Sequence, residues 1–150
     1  MTRPLRRFAP AIAVVALSFA TVGCSHHQGS QAKFCAQVKE VPALQTVLQG
    51  YQTADATELQ ARLSSARSHY DALVSAAPSS IHDDVATLVG LVDAVIDSTK
   101  AHPHDAKAIA ADLRTYVKAH PGANAATSKV DTYASDTCGV DLGPGTNPPG

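Results

Sequence analysis

Several things are missing from this chain, and each absence removes a class of function. There is no cluster of lysine and arginine. The 12 basic residues meet 13 acidic ones. Three of the basic residues, Arg3, Arg6 and Arg7, stand at the front. Past residue 23, nine basic residues face thirteen acidic ones, a net charge of −4. Phosphate binding needs grouped cations, so the sequence argues against nucleic acid as a partner. Nor does any polybasic stretch offer electrostatic grip on anionic lipid. The sequence has no GxSxG, no P-loop and no GxGxxG, so the usual nucleophile turn and the phosphate-cradling loops are absent. Tryptophan is absent, aromatics are few, and β-branched runs of period two are missing. What remains is rich in alanine and other helix formers, a helical composition.

The front end is a targeting segment rather than part of the fold. Arg3, Arg6 and Arg7 form a positive n-region, and residues 8–20 are apolar apart from Ser18. That core is shorter than the roughly 20 residues a spanning helix needs. It is followed by Thr21-Val22-Gly23-Cys24, which resembles the lipobox of bacterial lipoproteins. The resemblance implies a diacylglyceryl group on the Cys24 thiol, fatty acyl chains such as palmitate, and cleavage before that cysteine. Thr21 departs from the bulky aliphatic residue usual in the family. The resemblance covers the first 24 residues and addresses delivery only. It implies a signal peptide over 1–23 and a mature protein on the outer face of the cytoplasmic membrane, in the cell envelope. Arg6-Arg7 leaves general secretory and twin-arginine export both open. Cys24→Ala is expected to abolish lipid labelling and block maturation, which metabolic labelling with a radioactive fatty acid would check.

With Cys24 assigned to lipid, Cys35 and Cys138 remain. An exported location favours pairing them. A Cys35–Cys138 disulfide would join the two ends of the folded region. Their separation suits neither a CxxC redox site nor a zinc knuckle.

Residues 24–32 are small and polar and read as a flexible tether. Residues 143–150, rich in glycine and proline, read as a disordered tail. Between them, residues 33–142 carry apolar positions at helical spacing. Phe34, Val38 and Val41 begin a first segment, which Pro42 kinks or restarts before Leu44, Val47, Leu48 and Tyr51. Leu59, Leu63, Ala66, Tyr70, Leu73 and Ala77 form the clearest seam, with Asp55 as N-cap, Glu58 as its capping-box partner and Pro78 as the stop. Ser80 is read as the cap of the next helix, with Asp83 and Asp84 in its first turn. That helix carries Ile81, Val85, Leu88, Val92 and Val95 and is expected to be the most buried. Gly90 in its middle suggests close approach of a neighbour. Asp105 caps a helix with Ile109, Leu113, Tyr116 and Val117, which Pro121-Gly122 stops. A short last helix runs from about Ala126 to Cys138, with Gly139 as its cap. The fold class is all-α: an up-down bundle of four main helices plus a short terminal one, its ends joined by a disulfide. The segment Asp136-Thr137-Cys138-Gly139-Val140-Asp141-Leu142 resembles the Cys-Gly ending of small helical envelope proteins of actinobacteria. That resemblance implies paired cysteines and no particular activity.

Candidate chemistry is sparse. His102, His104 and Asp105 could ligate zinc or copper only with a further ligand, and a polar helix-to-helix loop is the plainer reading. Asp93 and Asp97 lie four apart opposite the apolar stripe and read as a solvated face. Ser68-His69 and Ser80-Ile81-His82 are neighbours in sequence, which does not make a catalytic triad. Tyr70 and Tyr116 are the candidate ligand-contact residues, since a phenol offers an apolar body with a polar tip; at helical spacing they also suit the core. No catalytic residue, metal or cofactor is assigned. The chain therefore reads as a membrane-anchored, non-catalytic module that binds another envelope protein or a small apolar ligand. An alternative is a carrier of a lipid or small apolar metabolite, with an inter-helix void lined by Ala86, Gly90 and Ala110. A metal-dependent enzyme would need two or more of His69, His82, His102, His104 and His120 to converge.

Overall fold

The computed structural model describes residues 29–142. The leader, Cys24, most of the tether and the 143–150 tail lie outside the described residues. The described chain folds into six α-helices and a terminal π-helical turn. No helix among the described residues is long and apolar enough to cross a membrane.

Helix α1, Gln31–Glu40, starts inside the stretch read as tether. The Ser30 side chain accepts the Lys33 N–H at 3.3 Å, a serine cap. Just before it, Gly29 lies so close to the backbone of Ala76 and Ala77 that an added Cβ would fall 1.8 Å from the Ala77 carbonyl oxygen. The next N–H, of Ser30, donates to the Ala76 carbonyl at 3.1 Å. Pro42 breaks the segment rather than kinking it. Val41, which precedes it, is extended, because a proline's Cδ disfavours helical geometry in the residue before it. A single turn, α2 (Leu44–Val47), follows.

Helix α3, Ala56–Ala76, is capped by the Asp55 carboxylate, which accepts the Thr57 and Glu58 N–H groups at 2.8 and 3.1 Å. The Glu58 carboxylate turns toward Arg62, 3.9 Å away. Pro78 stops the helix through an extended Ala77. Helix α4, His82–Ala101, differs from expectation at its start. Ile81, not Ser80, holds the cap position, and no side chain caps it. Burial of Ile81 in the core sets that register, and Asp83 and Asp84 supply negative charge to the first turn instead.

Helix α5, Ala106–Ala119, is capped by Asp105, whose carboxylate accepts the Lys107 and Ala108 N–H groups at 3.0 Å each. His120 closes it: its N–H donates to the Tyr116 and Val117 carbonyls, and its Nδ1 lies 2.9 Å from the Tyr116 oxygen. Gly122, with φ −80, opens α6 rather than ending α5. Helix α6, Ala123–Tyr133, thus begins three residues before the expected Ala126. It runs into the π turn Ala134–Cys138, and Gly139 ends that turn at φ +65, the left-handed conformation glycine adopts without strain.

Four helices close a ring. α1 packs on α3, α3 on α4, α4 on α6, and the π turn after α6 returns to α1. The Cys35–Cys138 disulfide locks that last contact, with Cα atoms 5.1 Å apart and 103 residues between the cysteines. Phe34, Leu63, Leu73, Val85, Ile96 and Val130 fill the interior and are fully buried. Each contributes about 1.5–3 kcal/mol relative to exposure. On the outside of the α3–α4 pair, the guanidinium of Arg67 clasps two carboxylates of α4. Its Nε is 2.8 Å from Asp93 Oδ1 and its Nη2 meets Asp97. Both acids raise the Arg67 pKa, Asp97 most, against the opposing effect of burial. Helix α5 stands outside the ring, packed chiefly on α4, and none of its residues is fully buried.

Candidate binding clefts

The corner where α1 turns into α2 leaves a cleft of about 350 Å³. Its floor is Tyr70, Leu73 and Leu88, from α3 and α4. Val38, Val41 and Leu44 form one wall, and the strap after the π turn forms the other with Val140 and Leu142. Lys39, Gln45 and Asp141 supply the polar lining. The strap owes its place to the disulfide and to Gly139, after which the Val140 N–H donates to the Ala134 carbonyl at 3.1 Å. Val140 and Leu142, two apart in an unwound segment, can then face the same side. Tyr70 is 6% exposed, and its hydroxyl donates to the Pro42 carbonyl at 3.1 Å. Burial pushes the phenol up to about 12. Its ring therefore floors the cleft while its polar tip holds the α1–α2 corner.

Tyr116 lies elsewhere. It lines a shallow, open groove of about 480 Å³ between α4 and α5, with Ala94, Ser98, Ala101 and Asp112. An added Cβ on Gly90 would meet the Tyr116 hydroxyl at 2.8 Å. The glycine thus accommodates a tyrosine tip. Neither of these two clefts is lined by Ala86, Gly90 or Ala110. The Tyr116 ring stacks on His120 at 4.0 Å. Burial, then the charge of Asp93, raises its pKa. The two tyrosines named as ligand contacts are thus in separate places, and the structure does not bring them together.

The α4–α5 groove also assembles a trio that the linear sequence hides. Ser98 Oγ donates to Asp112 Oδ2 at 2.7 Å, and His102 Nε2 lies 3.5 Å from the same oxygen. Nucleophilic catalysis needs the imidazole between hydroxyl and carboxylate. Here the carboxylate stands between, so the serine proton points at Asp112 and not at the His102 imidazole. The trio fastens α5 to α4.

The other histidines are spread over the described surface. His82 pairs with neighbouring Asp83 at 3.2 Å, and His104 Nδ1 lies 2.8 Å from the Gln52 carbonyl oxygen. No group of three His, Cys, Asp or Glu that could hold a metal occurs among the described residues. Asp93 and Asp97 form the α3–α4 clasp: Asp97 remains largely exposed, whereas Asp93 is half-covered by Arg67. Sequence reading missed the strap and the Arg67 clasp. The Val-Asp-Leu alternation at 140–142 signalled the first. The second has no local signal, because its partners are 26 and 30 residues apart. No family model matches this chain, and no curated protein or solved structure does either.

Proposed function

We propose that the chain is an exported lipoprotein, held on the outer face of the cytoplasmic membrane by acyl chains on Cys24, whose bundle works by binding rather than by catalysis. The observation that carries the second half is the fate of the buried polar side chains. Among the described residues these are Ser98, Thr99 and Thr127. Each gives its hydroxyl proton to an acceptor inside the bundle: Asp112, the Val95 carbonyl and the Ala123 carbonyl. An enzyme keeps such a group aimed at its substrate. Here the three buried hydroxyls are spent on helix structure and on fastening α5, and the buried polar atoms left without a hydrogen-bond partner, Arg62 Nε and Asp131 Oδ1, belong to different helices, α3 and α6.

The more enclosed of the two concave features is the apolar cleft beside the α1–α2 corner. Its 350 Å³ lies at the small end of the range for ligand pockets, about 300–1,000 Å³. That size and lining favour a small apolar ligand, such as one acyl chain, over a folded partner. Cys24 supports the anchor through its place after a basic n-region and an apolar core.

Mass spectrometry of the protein taken gently from its own membranes tests both halves. The denatured mass of a chain beginning at Cys24 with acyl groups is expected, and an unprocessed chain would contradict the anchor. Extra mass in the native spectrum is expected for wild type and lost in Leu44→Trp, which fills the mouth of the cleft. A wild-type spectrum with no extra mass would contradict the ligand reading.

A further inference from the structure

The most amphipathic helix of the described chain is α5, and it is also the one with no buried residue. Ile109, Leu113, Tyr116 and Val117 are each half-buried. The opposite flank is basic. Lys107, Arg114 and Lys118 are all exposed, and at 3.6 residues per turn they fall within about 40° of one another around the axis. The half-exposed Val117 and Ala110 border this line.

The charge of that flank is out of keeping with the rest of the chain. Past residue 23 the chain carries −4, yet α5 holds three cations against the single carboxylate of Asp112. Most cations elsewhere are engaged: Arg62 with Glu58 and Gln49, Arg67 with Asp93 and Asp97, Lys100 with Ser64, and Lys129 with Asp84, while Lys39 is a lone exposed cation on α1. Lys107, Arg114 and Lys118 have no ion pair among the described residues. Arg114 and Lys118, four apart, repel each other, a mild local cost to the helix. No acid on this face offsets it.

Because the apolar face of α5 packs on α4, the face it offers outward is the basic one, and each Lys or Arg near an anionic bilayer surface is attracted to it. We infer that the line Lys107–Arg114–Lys118 of α5 rests on anionic phospholipid headgroups and fixes the angle at which the bundle stands on the bilayer. Placement agrees with this. Ser98 faces Asp112 and Gly90 faces Tyr116, so α5 runs antiparallel to α4. Its basic C-terminal turn therefore points toward the end of the bundle where the chain enters at Gly29. From Gly29 back to Cys24, five residues of chain span at most about 18 Å, which keeps the bundle near the bilayer if Cys24 is anchored. The basic face stands without the anchor. The anchor holds the protein on the membrane, and α5 orients it.

The test uses the full lipidated protein in vesicles of phosphatidylglycerol mixed with phosphatidylcholine, and in vesicles of phosphatidylcholine alone. An environment-sensitive fluorophore is placed on α5 through Ala111→Cys, with Gln60→Cys on α3 as control. In the anionic vesicles the α5 probe is expected to brighten severalfold and shift to the blue. That response is lost in ~1 M salt, where the screening length is about 3 Å. It is lost in the triple variant Lys107→Gln/Arg114→Gln/Lys118→Gln and retained in Lys107→Arg/Lys118→Arg, with the same helix content by circular dichroism in all. The α3 probe stays unchanged. Equal α5 signals in both vesicle types overturn the inference, as does a response that survives the triple glutamine variant. A dimer by sedimentation that the triple variant dissolves would assign the face to a second copy instead and also overturn it. Flotation separates this from the anchor: protein that floats with neutral vesicles has a working anchor whatever α5 does. Protein that floats only with anionic vesicles has lost its anchor and kept the α5 contact.

Discussion

Helices α4 and α5 are joined by a four-residue turn, and both carry an apolar stripe that is plain in the sequence, yet they meet opposite fates. α4 buries Val85, Leu88, Val89, Leu91, Val92, Val95 and Ile96, with Ser98 and Thr99. α5 buries nothing completely. The difference lies in how far round the helix the apolar residues extend. Those of α4 spread over an arc of about 160°, against about 100° on α5, at 3.6 residues per turn, so α3 and α6 pack on it within the ring and α5 from outside. Those of α5 form a narrow band with three cations on the opposite side, and α4 covers that band in part. Amphipathicity is a property of one segment, whereas burial depends on how many neighbours a face can recruit. A narrow band backed by a basic face recruits chiefly one.

The largest effects should separate the ring from α5. Phe34, fully buried and edge-to-face with Tyr133 at 5.5 Å, is expected to cost about 3–5 kcal/mol as Phe34→Ala. Removing the disulfide by Cys35→Ser/Cys138→Ser is expected to cost about 2–5 kcal/mol. Leu113→Ala, on α5, is expected to cost no more than about 1.5 kcal/mol, since the side chain is already half in water. Urea titration compares the three, and a Leu113→Ala as damaging as Phe34→Ala would break the distinction.

A smaller effect comes from pH. Tyr70 in the folded ring holds its proton up to about 12, while an exposed tyrosine loses it near 10. The fold therefore binds that proton more tightly than the unfolded chain does. The resulting stabilisation is complete below pH 10 and is lost as pH rises from 10 to 12, about 2–3 kcal/mol in all. Tyr70→Phe should flatten this alkaline slope in a pH series of unfolding curves. At neutral pH the same variant loses the bond to Pro42, about 1 kcal/mol. Tyr116→Phe on α5 is expected to leave the slope nearly intact, because Tyr116 is only half-buried.

The smallest effect probes the joint between the two helices. Gly90→Ala gains about 1 kcal/mol of helix propensity, but its Cβ would press within 2.8 Å of the Tyr116 hydroxyl. Global stability should change by less than about 1 kcal/mol, while α5 loosens from α4. Faster tryptic cleavage after Lys107 and Arg114, without a shift in the urea midpoint, is the expected sign.

Much of this was legible in the sequence. The stripes of α3 and α4, the caps Asp55 and Asp105, the stops at Pro78 and Gly139 and the cysteine pairing are all local or arithmetic signals, and the fold follows them. The α4 cap was misplaced by one residue because Ile81 is held by the core, and core packing is not a local signal. Gly122 opens α6 because the His120 backbone and ring had already satisfied the end of α5. The cleft was beyond reach for the same reason: its walls come from residues 38–44 and 140–142, which the ring closure alone brings together. The basic line of α5 was overlooked because its members are seven and four residues apart, so no stretch of sequence looks basic.

Amide hydrogen exchange on the folded protein in solution, followed residue by residue, tests the central contrast most directly. The α4 amides around Val92 and Ile96 are expected to exchange only through global unfolding, with a urea dependence equal to that of the whole domain. The α5 amides around Leu113 and Val117 are expected to exchange faster, through a local opening that urea barely affects. Equal protection of α4 and α5, with one shared urea dependence, would mean that α5 belongs to the ring's cooperative unit and would contradict the account.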